Sequence, residues 1–432
     1  MSEALQNWGR TRWVDRTATS SLDGLDTAAG GSRLPFGNGR SYGDTCHNDA
    51  GTLLDRRADT GIVSFDVKTG RVRARAGTLL GALTQVVQRH GWFPPVVPGT
   101  RFVTLGGAFA NDVHGKNHHR RGTFAAHVER FQLRSSAGTR IVERTDPLFR
   151  LTAAGMGLTG VVTWLDMRMM RIAGPAIRQK VVPFASLDAY FERAADADAA
   201  HEYSVAWLDV TARSGRGLLL NGDHAQGEAK PFQAPRLSVP LTPPISLLNR
   251  ATVGLFNAVY RRAQRRRLDT IVSADRYFWP LDGVANWNRL YGPRGLHQHQ
   301  SVVPLDAAET VGLLLQAARD AGQTSFLSVL KRFGDAPAEG TLTFPREGYT
   351  LTLDFPHRGA KTLALLDRLD AITLDAGGRT NAYKDSRMSA ATFQGGYPAW
   401  TEVEAARDPA MMSDFWRRCA VATQARPEAL AA

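Results

Sequence analysis

Pro35-Phe36-Gly37-Asn38-Gly39-Arg40-Ser41-Tyr42-Gly43-Asp44 is the stretch on which the fold turns. Its glycines at 37, 39 and 43 allow a tight loop whose backbone N–H groups converge, the geometry of a nest for a pyrophosphate. A Rossmann loop would space its glycines G-x-G-x-x-G and open a helix directly afterwards. Here Tyr42 stands where the third glycine belongs, and the DTCHNDAG that begins at Asp44 is a poor helix start. The loop therefore argues against a doubly wound nucleotide fold. Taken alone it reads better as a plain surface turn.

Three more stretches carry chemistry. Residues 98–119 read PGTRFVTLGGAFANDVHGKNHH. Small residues at 106–108 let a flat cofactor lie against the backbone, and the polar cluster after them suits a phosphate or a substrate at the cofactor's edge. A P-loop fails here, because Ala110 replaces its first glycine and Asn117 follows Lys116. A zinc site on His114 and His118 fails too, since Gly115 and Asn117 disfavour a rigid helix and no HExxH glutamate is present. No metal site is expected. A structural turn with surface histidines is the competing reading. Residues 155–162, GMGLTGVV, form a glycine-rich entry to an apolar strand, and residues 381–387, NAYKDSR, set Lys384 between an aromatic and an acid.

At 432 residues the chain exceeds one ordinary core, so two domains are expected. The net charge of +12 favours an anionic partner: nucleic acid, a phosphorylated substrate or an acidic membrane surface. Neither a zinc-finger pattern nor an RNP-type aromatic strand is present, which leaves a basic nucleic-acid-binding protein as the remote alternative. The two cysteines, Cys46 and Cys419, form no CxxC pattern, so a disulfide framework is excluded and a reducing cytoplasm fits. The first residues lack a signal-peptide core, and no stretch approaches the roughly 18 apolar residues of a membrane span. The expectation is a cytoplasmic protein that touches a membrane without crossing it.

Residues 50–83 read as short strands, GTLLD, GIVSFD and RVRARAG, the last alternating between a wet and a dry face. TLLGALTQVVQRH at 78–90 has helical spacing, and the prolines of GWFPPVVPGT end it. Beyond about residue 175, the segments KVVPF, EYSVAWLDV, QHQSVVP, TSFLSVLKRF and YTLTLDF read as strands. Helices are expected between them at 186–197 and 306–321. This texture predicts an α+β chain with an antiparallel sheet covered by helices. Residues 229–245 are proline-rich and expected to be irregular.

Together these segments resemble the vanillyl-alcohol oxidase and para-cresol methylhydroxylase superfamily of FAD enzymes, and within it the branch that oxidises polyprenyl-phosphoryl sugars. The matching pieces run from WGRT at 8–11 through GRSYGD at 39–44, VPGTR at 97–101, HGKNHH at 114–119 and GLTGV at 157–161. They continue through AWLDV at 206–210, PLD at 280–282, NRLYGP at 288–293, QHQ at 298–300 and LDFP at 353–356, to KDSR at 384–387. The resemblance implies a two-part FAD-binding domain over 1–174, a substrate domain over 175–378, and a return to the FAD domain over 379–432.

It also implies roles. Gly37, Asn38, Gly39, Arg40, Ser41, Tyr42, Gly43, Gly99, Thr100, Gly106 and Gly107 would hold the FAD diphosphate and ribityl chain. Asn111, His114, Gly115, Lys116 and Asn117 would lie near the isoalloxazine, with Gly122 and Val162 lining its pocket. Lys384 would face both flavin and substrate, while Trp207, Phe278, Gln298, Gln300, Lys331 and Thr352 would line the sugar pocket. Some superfamily members attach FAD through a histidine in the first loop. Arg40 holds that position here, so non-covalent FAD is expected, with His47 nearby. The chain departs from the branch where Thr352 replaces a cysteine, Phe278 a tyrosine and Asn381 an aromatic residue, for which Tyr383 is a candidate substitute.

The implied reaction moves a hydride from a sugar carbon to FAD while a base takes the hydroxyl proton. Histidine titrates near neutrality, which makes His114 the preferred base. Lys384 is the competitor, with Lys116 a second cation beside the ring. The implied substrate is a lipid-linked ribose oxidised at its 2-hydroxyl, with a separate short-chain reductase completing an epimerisation. The runner-up is a soluble alditol or aldonolactone oxidase of the same superfamily, acting on a free sugar. Leu247, Leu248, Leu255, Phe256 and Val259 precede RRAQRRR at 261–267, the pattern of a helix lying on an anionic membrane or, equally, of a packed helix with a solvated basic end.

Overall fold

The computed structural model describes residues 5–25, 31–229, 231–232, 234–235 and 237–422. Three larger sheets organise them, beside two two-stranded ones. A small parallel sheet joins Thr17–Thr19, Thr52–Asp55 and Arg33–Phe36. A five-stranded antiparallel sheet runs Ile62–Asp66, Arg71–Arg75, Val161–Arg168, Val128–Ser135, Gly138–Glu143. An eight-stranded antiparallel sheet runs Asp269–Ser273, Ala176–Phe184, Gly217–Ala225, Tyr203–Leu208, Ser328–Phe333, Gly348–Pro356, Leu296–Val303, Arg379–Thr380. The chain is thus mixed α+β with antiparallel sheets, as its texture predicts.

Alternation drives the second sheet. In Arg71–Arg75, Val72 and Ala74 enter the core beside Leu80, Leu83 and Val87 of helix Leu80–Val87. The arginines between them face out and pair with Glu129, Asp166 and Asp59. Short helix Leu105–Ala110 follows, capped by the Thr104 hydroxyl, which accepts from Gly107 N–H.

The eight-stranded sheet has one greasy and one polar face. Leu208, Leu219, Leu330, Leu351 and Leu353 point one way, against helices Leu187–Ala200, Thr310–Asp320 and Ala360–Asp375. Strands Leu296–Val303 and Gly348–Pro356 are buried along their whole length despite the HQHQ run. Buried polar groups need partners, and most of these have them, Gln298 Oε1 and Ser301 Oγ excepted among the described residues. His299 pairs with Asp370 on the helix side, while Gln298 donates to Asp354 (2.6 Å) on the other.

Chain order and space diverge at the end. Arg379–Thr380 still pairs with Leu296–Val303, so the eight-stranded sheet extends past the expected boundary at 378. Only afterwards does the chain return to the N-terminal region, where Met411 bridges to Arg33 and Arg418 pairs with Asp44 (3.0 Å). Within the proline-rich segment, Leu237–Ser238 pairs with Val284–Ala285, while residues 230, 233 and 236 lie outside the described residues.

Candidate active site

A cavity of about 1310 Å³ opens between the N-terminal sheets and the polar face of the eight-stranded sheet. It exceeds the ~300–1,000 Å³ of an ordinary small-ligand pocket, which suits a dinucleotide plus a substrate. Both glycine loops line it. They touch directly: Asn38 Nδ2 donates to Phe102 O (2.8 Å), and a Cβ on Gly37 would sit 2.4 Å from Thr104 Oγ1. Gly39 has φ +58°, a left-handed conformation that favours glycine, which turns the chain back across Gln6. Arg40 packs its guanidinium over the rings of Trp8 (4.6 Å) and Phe102 (5.3 Å), and its buried Nε has no partner among the described residues. The second loop is anchored from the substrate side. Trp279 Nε1 donates to Pro98 O (2.9 Å), and Asp282 accepts from Arg101 N–H (2.8 Å).

The opposite wall follows from strand register. Trp207 pairs with Val329, Lys331 with Thr350, Gln300 with Thr352 and Gln298 with Asp354. Because side chains alternate, Trp207, Lys331, Thr352, Gln298 and Gln300 share one face, and all five line the cavity. Phe278 joins them from helix Ala274–Phe278. Lys384 enters from the far end of the sequence, its ammonium 5.8 Å from the centre of the Tyr42 ring.

Basic groups crowd this space. Burial pulls Lys116 down to about 7, and its ammonium donates to Tyr277 O and lies 4.3 Å from the Tyr277 ring. Burial also lowers Lys384, partly offset by Asp354, whose own carboxyl is raised by burial. Lys331 is held well below its ordinary value by burial and then by Lys384 and Lys116. Buried basic groups without enough acids beside them make a receptor for an anion. The glycine cradle, the unpartnered Arg40 Nε and this cation cluster fit the FAD that the resemblance implies.

Several expected site residues sit elsewhere. Gly43 does not line the cavity; a Cβ there would lie 1.4 Å from Asp385 O, so its smallness serves the packing of the first loop on the KDSR segment. Asn117 is fully buried and donates to Pro95 O (2.8 Å) and Glu202 (3.0 Å), which makes it a brace behind the wall. Gly122 ends the short helix His118–Arg121 at φ +65° and faces Ala336, outside the cavity. Tyr383 does border the cavity, but its hydroxyl is turned away from it, onto the backbone carbonyls of Ala154 and Leu342 (2.7 Å each). His47 is buried off the cavity with Nδ1 3.0 Å from Arg16. Its neighbours Asp49 and Asp414 bring ligand atoms within 4.8 Å of it, but Arg12, Arg16 and Arg417 hold those carboxylates. His114 lines the cavity, yet both ring nitrogens are engaged: Nε2 lies 3.1 Å from Gln300 Nε2 and Nδ1 lies 3.0 Å from Lys331 Nζ.

The sequence reading missed Asp354, which has 0% exposure and is held by Gln298, Tyr291 and the Ser325 hydroxyl. An acid at the end of YTLTLDF was the only signal. It also missed Asp282, next to both Arg40 and Arg101.

Residues 27–143 match the FAD binding domain family. The chain is similar to decaprenylphosphoryl-beta-D-ribose oxidase of Mycolicibacterium smegmatis, at 32% identity over 96% of this chain and 97% of that protein. It is also similar to an uncharacterized protein in the mprA 5' region of Streptomyces coelicolor, at 35% identity over 78% of this chain and 99% of that one.

Proposed function

Because the chain belongs to the family of FAD-dependent oxidoreductases that includes decaprenylphosphoryl-beta-D-ribose oxidase, we propose that it oxidises a secondary hydroxyl of a lipid-linked phosphosugar to a ketone. The preferred substrate is a polyprenyl-phosphoryl ribose attacked at its 2-hydroxyl, as the first half of an epimerisation that a short-chain reductase completes. The observation that carries the reading is the cavity itself: a glycine cradle on one wall and a polar sheet face on the other, with three lysines between them.

Residues 1–174 and the chain beyond Thr380 then form the two-part FAD-binding domain, and 175–380 the substrate domain. Bound non-covalently, FAD supplies the acceptor for the hydride. Gly37 to Tyr42, with Gly99, Thr100, Gly106 and Gly107, hold the diphosphate and ribityl chain through backbone N–H groups. Asn111, Gly115 and Val162 border the ring, and Lys384 and Lys116 supply fixed positive charge where negative charge grows. Trp207, Phe278, Gln298, Gln300 and Thr352 orient the sugar so that its reacting carbon faces the ring. His114 receives the hydroxyl proton.

Membrane contact belongs to the same reading. Helix Arg250–Arg265 exposes Leu255 and Val259 at 69% and 60%, and Leu241, Ile245 and Ile271 are exposed as well. Its last turn and the following residues carry Arg262, Arg265, Arg266 and Arg267, and Tyr260, Gln264 and Arg267 reach the cavity. A surface of this kind suits an anionic leaflet at which a lipid-linked substrate is delivered. No helix among the described residues is long and apolar enough to cross a membrane.

The test is anaerobic mixing of the yellow protein with polyprenyl-phosphoryl ribose. Flavin bleaching with formation of the 2-keto sugar is expected. Bleaching by free alditols or aldonolactones alone, with steady hydrogen peroxide production, would overturn the lipid-linked substrate in favour of a soluble sugar oxidase.

A further inference from the structure

The side-chain amides around His114 determine where its proton sits. Tyr383 N–H, a backbone group that can only donate, points at the Asn381 side chain (3.0 Å), so that atom is the amide oxygen Oδ1. Asn381 Nδ2 must then donate to Gln300 Oε1 (3.0 Å). This leaves Gln300 Nε2 as the group facing both Thr350 Oγ1 (3.0 Å) and His114 Nε2 (3.1 Å). An amide nitrogen donates and cannot accept, so His114 Nε2 carries a lone pair. A neutral imidazole with a bare Nε2 holds its proton on Nδ1. That N–H points at Lys331 Nζ, 3.0 Å away, which must accept it. Only an uncharged amine accepts; it keeps its own N–H for Gly115 O (3.3 Å).

We infer that His114 and Lys331 form an uncharged imidazole–amine pair, protonated on His114 Nδ1, and that this pair is the proton acceptor for the hydroxyl oxidised in the cavity. The inference rests on the proposed function for its reaction and on the hydrogen-bond chain alone for its protonation state. The groups that bear on the pair are Lys384, Lys116 and His118. All three oppose further positive charge on it. Burial and these neighbours hold His114 and Lys331 well below their ordinary values, in agreement with the neutral assignment.

The step balances. The substrate hydroxyl replaces Gln300 at Nε2, its O–H bond breaks, and the proton joins Nε2. The Nδ1 proton passes to Lys331, which becomes an ammonium donating back to Nδ1. FAD, when held by the glycine cradle, would accept the electron pair of the breaking C–H bond as a hydride, so that C=O forms without any other oxidant. His114 is the catalytic residue. Lys331 acts through it, as the positioning residue that selects the tautomer and receives the proton.

The experiment is two-bond proton–nitrogen correlation on the FAD-loaded protein labelled with 15N-histidine, with His114→Gln to assign the resonance. The expected result is a neutral Nδ1–H tautomer for His114 from about pH 6 to about pH 9, on either side of the ordinary histidine pKa. An imidazolium, or an Nε2–H tautomer, overturns the pair. In single-turnover flavin bleaching, Lys331→Met is expected to slow the step at least about tenfold. Its rate should also become pH-dependent, because the proton then has to stay on His114. Lys331→Arg is expected not to rescue the rate, since a guanidinium cannot take a proton. Rescue by arginine would reduce Lys331 to a bare positive charge and overturn the relay. The tautomer is read without substrate. An Nδ1–H signal in a protein that oxidises no phosphosugar therefore refutes the proposed substrate and not the pair, and active enzyme with the wrong tautomer does the reverse.

Discussion

Gly37→Ala tests the closest approach of the two glycine loops. The new Cβ would lie 2.4 Å from Thr104 Oγ1 and 3.3 Å from its Cγ2, but 3.4 Å, an ordinary contact, from its Cβ. Gly37 is not among the positive-φ glycines, so contact alone decides the outcome. Thr104 is 4% exposed and cannot swing into solvent. If it rotates, it gives up the bond its hydroxyl accepts from Gly107 N–H (3.2 Å). Overpacking of this kind costs ~1–3 kcal/mol. Thr104→Ala alone loses the helix cap at ~1 kcal/mol. The double variant removes both clashing atoms, so it should cost little more than Thr104→Ala, leaving a coupling of ~1–2 kcal/mol between the sites. Urea denaturation of FAD-free protein, followed by tryptophan fluorescence, measures all four corners of the cycle. Titration with FAD should show Gly37→Ala weakened about tenfold, ~1.4 kcal/mol, and recovered in the double variant. Additive stabilities, or unchanged FAD affinity in Gly37→Ala, would mean that the loops do not meet as described.

Lys384→Ala should retain FAD but slow flavin bleaching by substrate at least about tenfold, a loss of ~1.4 kcal/mol in the transition state; stopped-flow absorbance checks it, and a normal rate removes Lys384 from the mechanism. Asp112, 1% exposed, has its carboxyl raised by burial to about 6 against an ordinary 3.8. Its neutral form is the one the fold favours, so its contribution to stability is full below pH 3.8 and lost as pH rises through about 6. Asp112→Asn should therefore raise urea stability at pH 8 by up to ~3 kcal/mol, with the gain vanishing near pH 4; equal gains at both pH values would refute the assignment. Replacing Arg262, Arg265 and Arg266, which do not line the cavity, with Gln should abolish flotation with anionic liposomes, at ~1 kcal/mol per charge, and leave bleaching by a short-chain soluble substrate unchanged.

The sequence made the strands and loops legible where local patterns are strong. The alternation of Arg71 to Arg75 and the helical spacing of 78–90 read correctly because each segment buries one face on its own side of a sheet. The expected helices at 186–197 and 306–321 appear as Leu187–Ala200 and Thr310–Asp320. What local pattern could not say is which way a residue near the cradle faces. Gly43 and Asn117 adjoin cavity residues in sequence and Gly122 follows a few residues later, yet one packs on Asp385, one donates to the Pro95 carbonyl and the Glu202 carboxylate, and one ends a helix. Nor does the LDFP run at 353–356 say what Asp354 does, since its importance comes from Gln298 in the neighbouring strand and Lys384 from another region.

The chain's excess of basic residues acquires a local meaning in the cavity. Lys116, Lys331 and Lys384 are all pushed toward the neutral form, and Asp354 offsets Lys384 alone. Removing the charges by apolar substitution would stabilise an empty protein, so their presence makes sense only when something anionic shares the space. The three differ in what they can do for it. Lys116 is fixed on Tyr277 and Lys384 is balanced by Asp354, so both can be charged once an anion arrives. Lys331 faces two other amines and the N–H side of His114, and its hydrogen bonds require a lone pair. One cluster of three similar side chains thereby separates into two cations for binding and one neutral amine for proton transfer, and the separation is imposed by their neighbours rather than by the lysines themselves.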